Sequence, residues 1–383
     1  MREITLEELE NMKKGSFVLV DIRDEGLRAY GMIPGAVAID FDADEDEIYR
    51  KISELPKDKK CIFYCEVGRK TRDIGDIPYL EGLDCYSLEG GYIGYVRSSM
   101  TKEVDGESRQ KKAEKSIQKK FHKQLFTPFA KACKSYELIE EGDHIAVCIS
   151  GGKDSMLMAK LFQEIQRHRK CNFDLTFLVM DPGYNADNRA LIESNAKALG
   201  IPITIFESDI FDAVDTIEKS PCYLCARMRR GYLYSKAKEL GCNKIALGHH
   251  YDDVIETILM GMLYGAQIQT MMPKLHSTNF EGMELIRPLY LVRESDICAW
   301  RDYNDLHFLQ CACHFTETCS TCHEDGTTSS KRLEVKKLIA SLKEVNPFVE
   351  SNIFKSVENV NIDTVVAYKK KGVRHHFLEE YNA

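Results

Sequence analysis

Short apolar runs in the first hundred residues alternate with polar, turn-rich segments. The runs at 17–22, 36–41, 61–64 and 85–88 are rich in β-branched and aromatic residues. Runs of this length, bounded by turn or charged residues, are typical of buried strands. A short helical stretch at 74–80 lies between the last two runs. Strands that alternate with short helices predict a small parallel α/β sheet.

The same alternation returns after residue 140 in a longer form. Strands are predicted at 145–149, 173–180, 203–206 and 244–247, and helices from about residue 154, over 187–199 and over 254–264. This order predicts a doubly wound parallel sheet, in which ligands bind at the carboxyl ends of the strands. A last apolar stripe, formed by Val335, Leu338, Ile339 and Leu342, predicts an amphipathic helix at 331–345 that packs against the core.

The hydrophobic pattern disappears between Ser99 and about Glu107, which predicts a domain boundary. The expected organisation is a small α/β domain at 1–98, a basic linker or helix at 99–123, a larger α/β domain at 124–345 and an extension at 346–383.

The length of 383 residues suggests two or three domains. No apolar run approaches the roughly 20 residues of a membrane span, and the acidic start M-R-E-I-T-L-E-E-L-E does not resemble a signal peptide. These features predict a cytoplasmic protein without membrane contact. In that compartment the 14 cysteines favour metal binding or thiol chemistry over disulfides.

A net charge of −8 does not favour general nucleic-acid binding, so any RNA contact depends on a local basic patch. The segment 109–123 carries seven Lys or Arg residues against one Glu. The candidate RNA contacts are Lys119, Lys120 and Lys123 in this segment and Arg227, Arg229 and Arg230 in a second cluster. A solvated helix face is the alternative for both clusters.

The segment 144–161 carries the most specific chemical signal. An apolar strand ends at the loop S-G-G-K-D-S, and a helical stripe follows. Two glycines let the backbone approach a ligand, while the loop amides and the first N–H groups of the helix point at an anion. The loop is not a Walker A motif, because the lysine is followed by Asp rather than by Ser or Thr. The residues expected to contact the phosphates of a ligand are Ser150, Gly151, Gly152, Lys153, Asp154 and Ser155.

The rest of this site is expected at the carboxyl ends of neighbouring strands. The candidates are Met180 and Asp181 after one strand and Gly248, His249 and Asp253 after another. A carboxylate at Asp253 or at Asp154 could hold Mg²⁺. Alternatively, Asp252 and Asp253 only stabilise the start of a helix.

Cys65 follows the strand at 61–64, in the loop C-E-V-G-R-K-T. Loop amides and the cations Arg69 and Lys70 would stabilise a thiolate and make the sulfur nucleophilic. A phosphatase would need an Arg six residues after the cysteine, where this chain has Thr71. Cys65 is therefore a candidate catalytic residue, with a buried cysteine in an inactive domain as the alternative.

Further cysteines occur in close pairs. Cys222-x-x-Cys225 suits zinc, an iron–sulfur cluster or redox exchange. Four others, near or within a Thr-, Ser- and Gly-rich stretch, could together hold a structural Zn²⁺: Cys311, Cys313, Cys319 and Cys322.

The order of these motifs resembles that of a known family. The SGGKDS loop is similar to that of the PP-loop ATP pyrophosphatases. Four further motifs follow this loop along the chain: P-C-x-x-C-x-R-x-R-R-G (221–231), G-H-H-x-D-D (248–253), P-K-L (273–275) and R-P-L (287–289). This succession resembles that of the tRNA 2-thiocytidine synthetase family.

This resemblance implies an adenine nucleotide α-hydrolase-like domain that binds ATP and Mg²⁺. It also implies a tRNA thiolation enzyme that adenylates a pyrimidine C2 carbonyl and replaces the oxygen by sulfur. Cys222, Cys225 and Cys311 would hold a [4Fe–4S] cluster, with Cys313 as the other choice for the third ligand. A homodimer is a further expectation.

The first hundred residues resemble a rhodanese sulfurtransferase domain. The matching segments are V-D-I-R-D-E (20–25), G-M-I-P-G-A (31–36), C-E-V-G-R-K-T (65–71) and L-E-G-G-Y (88–92). The resemblance implies that Cys65 carries a persulfide, which a donor such as a cysteine desulfurase would supply. Because both domains share one chain, sulfur delivery would be intramolecular.

Three other functions fit parts of this pattern. One is a PP-loop ATP pyrophosphatase that acts on a small molecule, and another is a tRNA-modifying ligase related to the lysidine synthetases. The third is a zinc-stabilised RNA-binding protein with a degenerate ATP site.

Overall fold

The computed structural model describes residues 1–13, 15–28, 31–74, 80–101, 108–208, 221–308, 331–379 and 381. The chain divides into two compact units, one of Met1–His250 with Pro273–Thr327 and the other of Tyr251–Met272 with Thr328–Ala383. None of the helices in the described part of the chain is long and apolar enough to cross a bilayer.

The first sheet of the larger unit is parallel and has the order β1-β5-β4-β2-β3. Its strands are β1 Arg2–Ile4, β2 Phe17–Asp21, β3 Val37–Ala38, β4 Lys60–Tyr64 and β5 Asp84–Leu88. Its helices are α1 Leu6–Asn11, α2 Glu25–Arg28, α3 Glu45–Ser53, α4 Lys70–Asp73 and α5 Gly91–Thr101. The predicted small parallel α/β sheet is confirmed. The sequence pattern misses β1, because three residues are too few to show an alternation, and most of the expected helical stretch at 74–80 lies outside the described residues.

The second sheet has the order β10-β11-β9-β6-β7-β8 and is parallel except for the pair β10 and β11. Its strands are β6 His144–Ile149, β7 Asp174–Asp181, β8 Ile203–Glu207, β9 Lys244–Ala246, β10 Lys274–His276 and β11 Glu284–Ile286. The helices that follow the strands are α8 Lys153–Arg167, α9 Ala186–Leu199, α10 Pro221–Glu239, α11 Tyr251–Gly265 and α12 Glu294–Tyr303. The chain winds from β6 through β7 to β8 and then returns to β9 on the other side of β6. The predicted doubly wound sheet is confirmed, and its ligand crevice is expected at the carboxyl end of β6.

The basic segment before this sheet is helical. It forms α6 Arg109–Gln118, a π-helix at His122–Phe126 and α7 Thr127–Ser135. Ala113 and Ile117 of α6 are buried, whereas Lys111 and Lys115 are exposed. Helix α6 is therefore amphipathic: Lys111 and Lys115 face solvent and its apolar face joins the core, whereas Arg109 at its start is buried.

The two sheets share one hydrophobic core. Ile4, Tyr92 and Val96 from the N-terminal domain belong to the same buried cluster as Ile117 and Trp300. The opposite face of the first sheet covers a separate cluster that includes the side chain of Cys65. The N-terminal domain is thus packed against helices of the second domain, with α5 beside α9, by apolar burial.

The smaller unit contains α11, α13 Lys331–Val345, α14 Val349–Ser356 and a hairpin of β12 Ala367–Lys370 and β13 Val373–His376. Tyr251 stacks on Phe354 with ring centroids 4.4 Å apart. The predicted helix at 331–345 is present, but only half of its apolar stripe is covered. Val335 and Ile339 are buried, whereas Leu338 and Leu342 are 41% and 40% exposed.

Candidate active site

The glycine loop joins β6 to α8 at the positions that the sequence indicates. Gly151 has φ +86°, a conformation that favours glycine. Ser155 fixes the loop, because its Oγ accepts the Ser150 N–H at 3.1 Å and donates to the Gly152 carbonyl at 3.0 Å. Gly152 is the N-cap of α8 and supplies no side-chain cap. The first N–H groups of α8 therefore suit an anion at the carboxyl end of β6.

Lys153 brings a buried positive charge to this loop. Its Nζ lies 3.3 Å from Asp154 Oδ2 and 3.1 Å from Glu294 Oε1, and its side chain is 6% exposed. Glu294 is the first residue of α12, so the ion pair joins α8 to a helix far along the chain. Sequence reasoning missed Glu294. Its only local signal is its position shortly after the R-P-L segment.

The segment after β9 lies against the same loop. A Cβ on Gly248 would contact the Ser155 backbone nitrogen at 3.3 Å, which explains the glycine. The buried His250 places its Nε2 3.9 Å from Asp154 Oδ1. His249, the predicted residue, is half-buried. The structure therefore adds His250, which the sequence analysis passed over, to the surroundings of the loop.

Asp181 has a local structural role. Its Oδ1 accepts the N–H groups of Gly183 and Tyr184 at 2.9 and 2.7 Å, and its Oδ2 pairs with Arg189 at 3.0 Å. These contacts shape the turn after β7, at the edge of the crevice. Met180, the residue before it, is buried.

Asp253 lies in the smaller unit, near the start of α11. Its carboxylate pairs with Arg332 of α13 at 2.5 Å. Among the described residues, no three His, Cys, Asp or Glu side chains are grouped to hold a metal ion. An Mg²⁺ role for Asp154 or Asp253 thus stays a prediction.

Cys65 lies in a second candidate site, at the carboxyl end of β4. Its side chain is buried, and its Sγ accepts the Gly68 N–H at 3.2 Å. Thr71 Oγ1 lies 3.9 Å from that sulfur, donates to the Gly68 carbonyl at 3.1 Å and is 2.7 Å from Ser87 Oγ. The loop thus wraps around the sulfur, and a small hydroxyl stands where a phosphatase would carry a guanidinium.

Lys70, one of the cations expected beside Cys65, has an acidic partner, and a different cation, Arg23, contacts the residue next to Cys65. Lys70 pairs with Asp42 at 2.6 Å on the surface. Arg23, buried and paired with Asp21, also contacts Glu66 at 3.2 Å. Burial raises the pKa of Glu66, and the nearby Arg23 guanidinium partly offsets this rise.

Two further cysteines of this domain resemble core residues. Cys61 is fully buried, and burial raises its pKa. Burial also raises the pKa of Cys85 to about 12. Neither environment favours a thiolate.

Several predicted residues fall outside what the structure describes. Cys222 and Cys225 lie on the backbone of α10, but their side chains and that of Arg227 are outside the described part. Cys311, Cys313, Cys319 and Cys322 are outside it altogether. On α10, Arg229 is half-buried and Arg230 is exposed, and Lys119, Lys120 and Lys123 are exposed near α6.

Family models match two parts of the chain. Residues 114–313 match the model of the PP-loop domain, and residues 5–98 match the model of the rhodanese-like domain.

Curated relatives match about three fifths of the chain. The chain is 35% identical to the tRNA-cytidine(32) 2-sulfurtransferase of Syntrophotalea carbinolica, over 60% of this chain and 86% of the relative. It is 32% identical to the enzyme of the same name from Anaeromyxobacter dehalogenans, over 63% of this chain and 80% of the relative.

Solved structures give weaker similarities. The U34-tRNA thiolase NcsA from Methanococcus maripaludis with its [4Fe-4S] cluster is 22% identical, with a TM-score of 0.47, over 61% of this chain and 76% of that one. A rhodanese-like domain protein from Staphylococcus aureus is 27% identical, with a TM-score of 0.21, over 24% of this chain and 87% of that one.

Proposed function

Because the chain belongs to the PP-loop family of sulfurtransferases, we propose that it thiolates a pyrimidine of tRNA at C2 in an ATP-dependent reaction. The curated relatives are named tRNA-cytidine(32) 2-sulfurtransferases, and the chain covers 86% and 80% of their length. The observation that carries the proposal is the buried Lys153, held at the glycine loop by Glu294 and Asp154.

In the first step the C2 carbonyl oxygen attacks the α-phosphorus of ATP, and the bond to pyrophosphate breaks. The leaving pyrophosphate gains negative charge, which the Lys153 ammonium and the N–H groups at the start of α8 would stabilise. Since Lys153 is already held in place, little reorganisation is needed when this charge develops. Asp154 would hold the Mg²⁺ that accompanies ATP.

In the second step a sulfur nucleophile adds to C2, and AMP leaves with the original oxygen. Cys222 and Cys225 are three residues apart on α10, a spacing that puts two residues on one face of a helix and supports their proposed role as ligands of one metal centre. A [4Fe–4S] cluster held by these residues and by Cys311 or Cys313 would supply the sulfur when bound.

Sulfur would reach this centre from the N-terminal domain. Cys65 Sγ would attack the terminal sulfur of a donor persulfide, such as that of a cysteine desulfurase, and the donor would leave as its thiolate. Two equivalents of a thiol reductant would convert the persulfide on Cys65 to the Cys65 thiol and hydrosulfide, and the reductant would leave as a disulfide. The Gly68 N–H, 3.2 Å from Sγ, supports a thiolate at this position.

A comparison of tRNA nucleosides tests the proposed reaction. A strain that lacks the gene should lose one 2-thiopyrimidine, detected by mass spectrometry, and the intact gene should restore it. The Lys57→Met variant, altered at an exposed lysine far from the loop in sequence, should restore it equally. An unchanged nucleoside profile in the deletion strain would contradict the proposal.

Metal analysis of the anaerobically purified protein tests the cluster. We expect about four iron and four sulfide per chain. About one zinc per chain and no iron would instead identify the zinc-stabilised alternative.

The Cys65→Ser variant tests the relay. It should lose thiolation from a persulfide donor and keep thiolation from free sulfide. Equal loss with both sulfur sources would refute delivery through Cys65.

A further inference from the structure

A band of exposed cations covers the end of α6, the π-helix and the end of α8. Its members, which we call the α6–α8 basic surface, are Lys119, Lys120, Lys123, Arg167, Arg169 and Lys170. The last three lie in the segment R-H-R-K (167–170), more than 40 residues further along the chain, and the sequence alone does not connect them to the first three.

Aromatic contacts show that the two halves of this surface adjoin. The Phe126 ring of the π-helix stacks on His168 at 5.1 Å and lies 5.2 Å from His122. Beneath them, Gln118 donates to Glu164 at 2.9 Å and Arg167 pairs with Glu114 at 2.9 Å. The end of α6 and the end of α8 therefore present one surface.

Only part of the charge of this surface is neutralised within the protein, where Arg167 pairs with Glu114 and Glu164. The acids beneath it, Glu114 and Glu164, are 17% and 12% exposed at their side chains, and each already contacts cations. Within the described part of the chain, no ion pair involves Lys119, Lys123, Arg169 or Lys170.

Lys120 is held at the same surface by an aromatic ring. Its Nζ lies 3.7 Å from the ring centroid of Tyr303, at the end of α12. A cluster of exposed cations on a chain of net charge −8 creates a local positive potential, which fits a polyanion.

The surface lies at a fixed distance from the glycine loop. Helix α8 begins at Lys153 in that loop and ends at Arg167 in the surface. Fourteen steps of 1.5 Å give a separation of about 21 Å along the helix. A free nucleotide cannot span this distance, whereas a folded RNA whose reacting base lies at the loop can.

We propose that the α6–α8 basic surface binds the phosphate backbone of the substrate tRNA, about 21 Å from the base that reacts. This inference rests on the proposed function and adds the position of the bound RNA on the protein. The surface would supply sequence-independent affinity and orient the RNA, while the crevice at β6 selects the base.

Binding of a fluorescent tRNA transcript, followed by anisotropy over a range of salt concentrations, tests the surface. The two test variants are Arg169→Glu/Lys170→Glu and Lys119→Glu/Lys123→Glu. The control, Arg50→Glu/Lys57→Glu, makes the same change of charge at exposed positions of the N-terminal domain.

Each test variant should bind about tenfold more weakly at 100 mM salt, and the slope of log affinity against log salt should fall by about 2, one for each cation removed. The control should stay within about twofold of wild type. In turnover assays the test variants should raise KM for tRNA by a larger factor than they lower kcat, since neither pair lies in the glycine loop.

If both test variants bind tRNA with the affinity and salt slope of the wild type, the α6–α8 basic surface does not bind tRNA. The proposed function would then remain intact. Equal weakening in the control would also overturn it, because the effect would then follow net charge alone. If the wild-type protein neither binds nor thiolates tRNA, the proposed function fails, and this inference fails with it.

Discussion

Replacing Gly91 by alanine should displace the Cys65 loop. Gly91 begins α5 with φ +55°, and an added Cβ would lie 2.5 Å from the Cys65 carbonyl oxygen and 2.7 Å from the Gly68 nitrogen. Both are backbone atoms, which cannot swing aside as a flexible side chain can. The same loop is held by the N–H groups of Tyr92 and Ile93, which donate to the carbonyls of Cys65 and Glu66 at 2.9 and 3.0 Å.

The size of the effect follows from two terms. A left-handed conformation costs a non-glycine residue about 1–2 kcal/mol. Displacing the loop adds the loss of two hydrogen bonds, about 1 kcal/mol each. The free energy of unfolding should therefore fall by about 3–4 kcal/mol in Gly91→Ala. Gly82→Ala is the matched control, because Gly82 has φ +88° and nothing within 4 Å of an added Cβ, so it should lose only the first term.

Urea unfolding measures the stability difference, and mass spectrometry of Cys65 after incubation with a persulfide donor measures loading. Gly91→Ala should load slowly, since the Gly68 N–H that contacts the sulfur moves, while thiolation from free sulfide persists. Gly82→Ala should load at the wild-type rate. If the two variants are equally stable and load equally fast, the loop does not depend on this close approach and the argument fails.

Three further outcomes are expected. Lys153→Met should lower ATP-dependent AMP release by about 10²–10³-fold, and Glu294→Gln should lower it less, because Glu294 acts only through the lysine. Thr71→Val should cost about 1–3 kcal/mol in urea unfolding, since it leaves the partners of a buried hydroxyl unpaired, whereas Thr71→Ser should restore most of the loss. Burial lowers the pKa of His307, so the folded state binds its proton less readily than the unfolded state does. The free energy of unfolding should therefore fall as pH drops below about 6.5. Urea titrations at pH 7.5 and 5.5 measure this change, which should be smaller in His307→Gln.

The sequence predicts the glycine loop well because every determinant of that loop is local. The apolar run of β6, the two glycines and the stripe of α8 follow one another within 144–161. Ser155 closes the loop from five residues away, so its hydrogen bonds too depend only on nearby chain. When all determinants of a loop lie close together in the chain, the sequence pattern predicts the conformation of that loop.

The partners of Lys153 could not be predicted in the same way. Glu294 is 141 residues further along the chain and comes into contact only when α12 packs beside α8.

The role of an acidic residue at the end of a strand is also ambiguous from sequence. Asp181 is the last residue of β7, where a ligand-binding side chain would be expected, yet its carboxylate accepts hydrogen bonds from the turn that follows. Periodicity identifies the strand, but the use of the next side chain is decided by contacts that periodicity does not encode.

The docking of the two domains constrains how sulfur can be delivered. The Arg23 guanidinium contacts Glu66, next to Cys65, and lies 3.8 Å from the ring centroid of Tyr92. The Tyr92 hydroxyl is 3.1 Å from His307 Nδ1, and the carbonyl of His307 accepts a hydrogen bond from Asn195 at 3.0 Å. A flexibly tethered domain would sample many orientations at an effective concentration set by its linker. Here short contacts through Arg23, Tyr92 and His307 link the Cys65 loop to Asn195 of α9. The N-terminal domain also shares a hydrophobic core with the second domain, so the two are docked rather than flexibly tethered. The proposed transfer of sulfur from Cys65 would therefore start from this docked position of the N-terminal domain rather than from a free search by a tethered domain.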